Sequence, residues 1–242
     1  MREQLTDIVK HTAALFPWVL VEGTDTETKF ASMSEDKTVI FQGVMKTPSP
    51  ELKGESALSS LTLLNGLLGF TSYQTDKATF TVKRFKDDTR VEEFEFKDAK
   101  KAGATYRLMN PSMIKPEDRP PSIDSIPWEL DFEPQKAKMT EFTQLSGLLS
   151  EVDRLFTPRT IDGDLHFLLG EEGSSNHRAS MVFEEGVTAN IKGDIKYSVP
   201  ALQSAIKVAG ADYRLHLTSR GVIMVSCETA YATYQYIIRA TR

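Results

Sequence analysis

The stretch NPSMIKPEDRPPSIDSIP, residues 110–127, decides how the rest of the sequence is divided. It holds five prolines with charged residues between them. Because proline lacks the backbone N–H and clashes with the preceding helical turn, this stretch can neither continue a helix nor fill a central strand. It predicts an extended linker, and therefore two domains of similar size, residues 1–109 and 128–242.

On both sides of the linker, the apolar residues predict the same order of elements, a helix followed by three strands, twice over. The predicted helices cover 5–13, 56–68, 139–152 and 199–209. The predicted strands cover 18–21, 28–33, 38–45, 78–85, 90–96 and 104–109 before the linker, and 128–132, 164–169, 178–184, 187–197, 213–218, 222–227 and 231–238 after it. The two halves share few side chains, so the repeat is one of architecture. The predicted fold class is α+β, with two similar domains of two helices each.

The composition is that of an ordinary soluble globular protein, with 242 residues, 40% hydrophobic and 26% charged. No run approaches the roughly 18 apolar residues of a membrane span. No signal-peptide pattern opens the chain, so we expect a cytoplasmic protein. The net charge of −5 argues against a protein that coats nucleic acid by bulk attraction, although it is compatible with a local basic surface.

The sequence contains no recognisable catalytic or metal-binding pattern. The four histidines have no metal-ligand spacing, and the single cysteine, Cys227, lies in a strand pattern where packing is the simpler interpretation. Asp162-Gly163-Asp164 is typical of a hairpin turn rather than a calcium loop. Gly66 and Gly69 accompany a helix and are not followed by the Lys-Ser/Thr of a phosphate loop. We therefore predict a protein that is not an enzyme and has no cofactor or metal.

Three local segments resemble the DNA sliding clamps, the processivity factors of DNA polymerases. They are LNGLLGF at 64–70, FASMS at 30–34, and the closing region that runs through 196–198, 213–217 and 234–238. Among clamps, the sequence is most similar to those of T4-type bacteriophages, and in element order the resemblance covers essentially the whole chain. It implies a DNA clamp fold and a ring of three identical subunits with twelve helices around a central hole. It also implies that the protein encircles duplex DNA and tethers a polymerase and other replication factors. A clamp loader would be a partner, and a viral protein would work in the host cytoplasm.

The resemblance also implies how the subunits meet. In the family, the last strand of the first domain pairs with an edge strand of the next subunit's second domain, which corresponds here to 104–109 and 178–184. The expected interface residues are Tyr106, Leu108, Met181 and Phe183. The alternative is that these side chains pack inside their own domain.

A clamp slides on any sequence, so its contacts with DNA should reach phosphates rather than base edges. The expected phosphate-facing residues come from the polar faces of the helices and from just beyond them: Arg2, Lys10, Lys138, Arg154, Arg159 and Lys207. The alternative is that they are ordinary solvated charges. The second helix offers almost no basic residue, so the hole is expected to be only mildly positive.

Clamps capture short peptides of their partners in an apolar groove framed by the linker and the last strand. The matching positions are Met33, Met113, Ile114, Ile238 and Ala240. The alternative is that Met113 and Ile114 only hold the linker down. Two other functions stay open at this point: an α+β module that binds a small ligand or a carbohydrate, and an enzyme whose site is dispersed along the chain.

Overall fold

The computed structural model describes residues 1–121, 126–170, 177–192 and 194–241. The chain forms two compact units that exchange short segments near the ends of their strands. The first unit consists of Met1–Lys37, Phe41–Pro121 and Glu228–Tyr234, and the second of Thr38–Ile40, Ser122–Cys227 and Gln235–Arg242. Within the predicted linker, residues 122–125 lie outside the described residues. The part before them forms two short 3-10 turns, Pro111–Met113 and Pro116–Asp118.

The first unit holds two helices and two antiparallel sheets. Its elements are α1 (Arg2–Thr12), β1 (Trp18–Gly23), β2 (Thr28–Met33), most of β3 (Val39–Met45), β4 (Gly54–Ser59), α2 (Leu61–Gly69), β5 (Thr79–Arg84), β6 (Val91–Lys97) and β7 (Gly103–Arg107). The strand orders are β4-β1-β2-β3 and β5-β6-β7. The first part of the last strand belongs here too, since the N–H of Lys46 donates to the carbonyl of Tyr231 at 2.9 Å.

The second unit repeats this plan. Its elements are β8 (Leu130–Phe132), α3 (Lys136–Leu148), β9 (Leu155–Ile161), β10 (Asp164–Leu169), β11 (Ala179–Glu184), β12 (Tyr197–Ser198), α4 (Val199–Ala209), β13 (Tyr213–Thr218), β14 (Val222–Glu228) and most of β15 (Ala232–Arg239). The strand orders are β12-β9-β10-β11 and β8-β13-β14-β15. The first of these matches β4-β1-β2-β3 of the other unit strand for strand. The prediction of an α+β fold with helices on antiparallel sheets is therefore confirmed.

The prediction for the second helix was wrong at its start. Residues 54–59 form β4, which pairs with β1 over its whole length, and α2 begins only at Leu61. The apolar spacing of Leu58, Leu61 and Leu64 fits a helix, but Leu58 lies opposite Val19 in the sheet. Ser60 has a φ of 50°, a left-handed conformation that turns the chain from strand into helix.

In the second unit, one strand was missed and another was wrongly predicted. The missed strand is β9, which contains Pro158, a residue type rarely found inside a central strand. The proline is tolerated because β12 pairs only with Leu155 and Phe156, so the ladder on that side has already ended. The predicted strand 187–197 contributes only its last residue to β12, and residue 193 lies outside the described residues. Ile191 is instead held against β9 by backbone and hydroxyl bonds to Thr160 of 2.9 and 3.0 Å.

The Asp162-Gly163 turn is confirmed as a hairpin. It joins β9 to β10, and Asp164 lies opposite Ile161. Both loop residues have a positive φ, 52° and 92°, as a two-residue hairpin with the twist of its strands requires. The carboxylate of Asp164 accepts a bond from the N–H of Gly186 at 2.8 Å, so it serves the loop after β11.

Aromatic side chains fill the core of the second unit. Phe142 of α3 is fully buried against Phe156, Phe167 and Phe183, which come from three adjacent strands. The ring centroids lie 5.2, 5.3 and 6.2 Å from that of Phe142, in edge-to-face contacts. This cluster fixes α3 on the inner face of β9, β10 and β11, so the side chains that alternate with it point away from the helix.

Candidate functional site

The outer faces of the four helices are the first candidate surface. In the first unit, α1 buries Leu5, Ile8 and Val9 and exposes Glu3 and Lys10. The shorter α2 buries its apolar residues Leu61, Leu64 and Leu68, and its exposed positions are Thr62, Leu63, Asn65, Gly66 and Gly69. No residue of α2 is charged. The structure therefore agrees with the expectation that the second helix offers almost no basic residue.

Arg2 is held by contacts within its own unit. Its guanidinium donates to the carbonyl of Leu68 at 3.0 Å and to the carbonyl of Tyr73. These bonds tie the start of α1 to the end of α2. Two donors of the guanidinium are thus committed to backbone carbonyls, so Arg2 links the two helices. Its expected contact with phosphate stays a prediction.

The two helices of the second unit carry most of the remaining basic residues. Lys138 is half-buried, with its Nζ 3.9 Å from a carboxylate oxygen of Glu141, and Lys207 of α4 is exposed. Lys136, the first residue of α3, is also exposed and was missed because the predicted helix began three residues later. A bond of 3.1 Å from the amide of Gln203 to the hydroxyl of Ser146 links α4 to α3.

Arg159 does not belong to the helical surface. It lies in β9 and alternates with Phe156 and Pro158, whose side chains are buried on the side of α3. Its side chain therefore lies on the opposite face of the sheet, where its guanidinium contacts Asp194 at 2.5 Å. Arg154 is exposed in the connection between α3 and β9. The prediction of a phosphate contact is thus wrong for Arg159, and for Arg154 it stays a prediction.

Together the helices carry little net charge. Their basic residues are Arg2, Lys10, Lys136, Lys138 and Lys207, and their acidic residues are Glu3, Asp7 and Glu141. The other exposed positions are mostly small or uncharged and polar, such as Thr6, Thr62, Asn65, Thr140 and Thr143. Such surfaces can approach a polyanion through a few long side chains and water, and nothing in them selects a base sequence.

Two strand edges are the second candidate surface. β7 is the last strand of the sheet β5-β6-β7, and β11 is the last strand of β12-β9-β10-β11. Each therefore has one edge without a partner strand in the part of the chain that the structure describes. An uncovered edge invites pairing with another chain. The strands that the resemblance assigned to the subunit interface are thus both edge strands.

The side chains expected at that interface are mostly buried in their own units. Tyr106 is 2% exposed, and its hydroxyl donates to the carbonyl of Ser59. Met181 and Phe183 are 5% and 0% exposed, in the cluster beneath α3. Leu108 is partly exposed. The expectation of side-chain contacts between subunits is therefore wrong for Tyr106, Met181 and Phe183. These side chains face the interior of their own unit and not a second copy.

Exposed apolar side chains lie on the helices that adjoin these edges. In the described ranges, the large apolar residues left exposed are Leu63, Phe70, Met113, Leu148 and Val152. Leu63 and Phe70 belong to α2 and its end, and Leu148, 81% exposed, ends α3, with Val152 just beyond. The sequence signal was there: α2 is apolar on more sides than a helix on a single core requires.

The expected peptide groove divides into buried and exposed residues. Met33, Ile114 and Ile238 are 5%, 5% and 0% exposed, so no partner side chain can reach them in this structure. Ile114 packs on Leu20 and Ala57 and thus holds the linker down, as the alternative interpretation had it. Met113 is 70% exposed, and Ala240 is partly exposed in the second unit. Of the expected set, Met113 is the residue best placed for a partner.

Two of the histidines, His11 and His216, and the single cysteine are packed within the fold. His11 is buried and stacks on Tyr234 with centroids 4.3 Å apart, while Asp7 accepts bonds of 2.7 Å from Tyr234 and Thr229. Nε2 of His216 lies 2.8 Å from the Ser226 hydroxyl. Cys227 is buried in β14. Within 1–121, 126–170, 177–192 and 194–241, no His, Cys, Asp and Glu side chains are grouped to hold a metal, and no helix there is long and apolar enough to cross a membrane.

We expect acid to destabilise the protein through two of these histidines. Burial lowers the pKa of His11 and of His216 below the ordinary value of 6.5, more than Asp7 and Asp131 raise it. The unfolded chain then binds more protons than the folded one below pH 6.5, so this contribution to stability is complete above pH 6.5 and is lost as the pH falls. Thermal unfolding between pH 7.5 and 5.5 should show a falling midpoint. The slope should shrink in a His11→Gln/His216→Gln variant and not in His177→Gln, whose histidine is exposed in a loop.

No protein-family model matches the sequence, and no curated protein matches it. Solved structures do match over the whole chain. The structure of A. fulgidus PCNA bound to the C-terminal region of FEN-1 is similar with a TM-score of 0.66 and 14% identity, covering 100% of this chain and 96% of that one. PCNA from Thermococcus kodakaraensis gives a TM-score of 0.66 and 12% identity, covering 100% and 97%. The chain therefore has the PCNA, or DNA clamp, fold that was expected. The narrower likeness to T4-type bacteriophage clamps stays a prediction.

Proposed function

We propose that this chain, which has the fold of PCNA, is a sliding clamp: three copies close into a ring around duplex DNA and tether a polymerase and other replication factors. The observation that carries the proposal is the match along the full length of both chains. The described residues offer no competing catalytic constellation. In this proposal the protein is a scaffold and not an enzyme, a clamp loader opens the ring, and a viral origin would place it in the host cytoplasm.

The helical surfaces support a DNA-encircling role. Lys10, Lys136, Lys138 and Lys207 are candidates for phosphate contacts, and the uncharged positions between them suit water-mediated contact. A protein that must slide gains nothing from strong local binding, because each neutralised phosphate adds affinity that has to be broken at every step. A nearly neutral helical face and topological enclosure therefore fit together.

The two edge strands support assembly of identical copies. Pairing β7 of one copy with β11 of the next is a head-to-tail contact, and such contacts form closed rings when the rotation is right. Charge favours an antiparallel pairing: Lys100 and Lys101 precede β7, and Glu184 and Glu185 end β11.

The exposed apolar residues would be covered by the same contact. The end of α2 lies near the sheet of β7, because Phe70 contacts Tyr73 and Tyr73 contacts Phe96 of β6. In the second unit, α3 packs on β11 through Phe142 and Phe183. Joining β7 to β11 of a second copy therefore brings α2 of one copy toward α3 of the other. We propose that Leu63 and Phe70 pack there against Leu148 and Val152. This contact replaces the buried side chains first expected at the interface.

For partner proteins, we propose a peptide-docking role for Met113. Its flexible, exposed thioether can accommodate several apolar side chains. The neighbouring Ile114 packs on Leu20 and Ala57, and this contact holds the backbone next to Met113 in place. The A. fulgidus PCNA was solved with the C-terminal region of FEN-1 bound, which supports a peptide as the kind of partner.

Threading onto linear DNA tests the clamp function without a loader. A ring can thread onto a linear duplex over a free end. A labelled duplex with open ends should therefore be crosslinked efficiently to the protein. The same duplex with streptavidin bound to both biotinylated ends should not be crosslinked, because the ends are blocked. The Lys10→Glu/Lys138→Glu/Lys207→Glu variant should lower the yield on open ends and leave the assembled mass unchanged. Equal crosslinking of open and blocked duplexes would identify an ordinary DNA-binding protein and would count against the clamp.

A further inference from the structure

The outer face of the sheet in the second unit carries a concave site that the clamp function does not use. The site has a volume of about 900 Å³ and is lined by residues of β9, β10 and β11 and of the segment before β12. Its floor includes Ile161 of β9 and Leu168 of β10, which are strand residues. Pockets of roughly 300–1,000 Å³ with an apolar floor and a few converging polar groups are typical of small-molecule sites.

The polar groups of this site are mainly cationic or hydrogen-bond donors. Arg159, Arg178 and Lys196 line it, and Asp194 is the one acidic residue among the described lining residues. Asp194 contacts the guanidinium of Arg159 at 2.5 Å, which orients that side chain. The described lining residues therefore carry an excess of positive charge, in a chain whose net charge is −5. Such an arrangement selects an anion.

Two hydroxyl groups and a fixed rim complete the site. Thr157 and Ser180 lie in the lining, and the Ser180 hydroxyl is placed 3.1 Å from Nδ1 of His166. Gly170, with a φ of 82°, lets the chain end β10 so close to β11 that a Cβ there would lie 2.6 Å from the carbonyl of His177. The described backbone thus brings Arg178 to the edge of the site.

We propose that this site binds a small organic phosphate, with the phosphate held by Arg159, Arg178 and Lys196 and the organic part resting on the apolar floor. Arginine presents a planar fork of donors that matches the oxygens of a phosphate, and lysine adds a point charge. The lining contains no aromatic side chain that could stack on a sugar ring among the described residues, which disfavours a neutral carbohydrate. The proposal does not depend on contact with DNA.

The test is binding to the full-length protein in a phosphate-free buffer. Inorganic phosphate, ribose 5-phosphate and adenosine monophosphate are titrated by calorimetry and by thermal shift, with sodium chloride at matched ionic strength. We expect the organic phosphates to bind more tightly than inorganic phosphate and to raise the unfolding midpoint. The Arg178→Ala variant should weaken this binding about tenfold or more, since it removes charge-assisted hydrogen bonds from the guanidinium to the phosphate.

Arg178 is exposed, so its removal should leave the fold intact, and Arg220→Ala, at an exposed turn of the same unit, is the matched control. Arg178→Lys should recover part of the affinity. The proposal is overturned if Arg178→Ala and Lys196→Ala bind the organic phosphates as well as the unchanged protein does. It is equally overturned if sodium chloride produces the same thermal shift, or if none of the three phosphates binds at millimolar concentration.

Discussion

Replacing Leu148 with glutamate is expected to convert the assembled ring into a folded monomer of 27.1 kDa. Leu148 is 81% exposed in the single chain, so the change costs little folding free energy. In the proposed interface, the same carboxylate would be buried against Leu63 and Phe70. Burying an unpaired charge costs several kcal/mol, and about 3 kcal/mol at each contact already weakens association by roughly a hundredfold.

Light scattering after size exclusion measures this result directly. The unchanged protein should show three times 27.1 kDa, and the Leu148→Glu variant one copy at micromolar concentration. Thr143→Glu is the control, because Thr143 is exposed on α3 but lies about 140° around the helix from Leu148. A paired Leu63→Lys/Leu148→Glu variant should recover part of the assembly. If the Leu148→Glu protein had the same mass as the unchanged protein, α3 would not lie in the interface.

Removing the ring of Phe142 is expected to have the largest effect on stability. Phe142→Ala leaves a cavity among Phe156, Phe167 and Phe183 and should cost about 3–5 kcal/mol. For a unit of this size, the unfolding midpoint should fall by roughly 10 °C. Since α3 rests on this cluster, the loss also loosens the helix that carries Lys138 and Leu148.

Chemical denaturation followed by tryptophan fluorescence and circular dichroism measures that cost. Phe142→Leu is the matched variant, because it keeps most of the buried apolar volume, and it should cost less than about 1.5 kcal/mol. A Phe142→Ala protein that loses less than the leucine variant would show that the cluster is not the core of the unit. Carrying out both measurements at pH 7.5 keeps His216 neutral in the folded state.

The elements that the sequence predicted well carry their own boundary signals. The predicted bounds of α4 agree with the structure, because Ser198 caps it with a 3.2 Å bond from the N–H of Ala201 and Gly210 ends it at a φ of 92°. Where the sequence has no such boundary signal, pairing with a distant strand determines the secondary structure. Leu58 and its neighbours have a helical spacing, yet in the folded chain they pair with β1 and form the outer strand of its sheet.

The candidate sites were harder to predict than the fold. Alternation in β11 correctly groups Met181 with Phe183, which are both buried, whereas Leu108 lies just beyond the end of β7. It cannot say whether the shared face meets a helix of the same unit or a second copy, and in three of four cases the helix side is buried within the unit. Arg2 shows the same limit, since a basic residue on a polar face gives no sign that two carbonyls lie within its reach.

The exchange of the last strand has a consequence for how the chain is made. Glu228–Tyr234 belongs to the first unit, where Tyr234 stacks on His11 and bonds to Asp7. During synthesis, the core of the first unit therefore stays incomplete until Glu228–Tyr234, more than a hundred positions downstream of Pro121, have been added. The two halves repeat one architecture, but they do not mature one after the other. Residues 228–242 complete the first unit as well as the second.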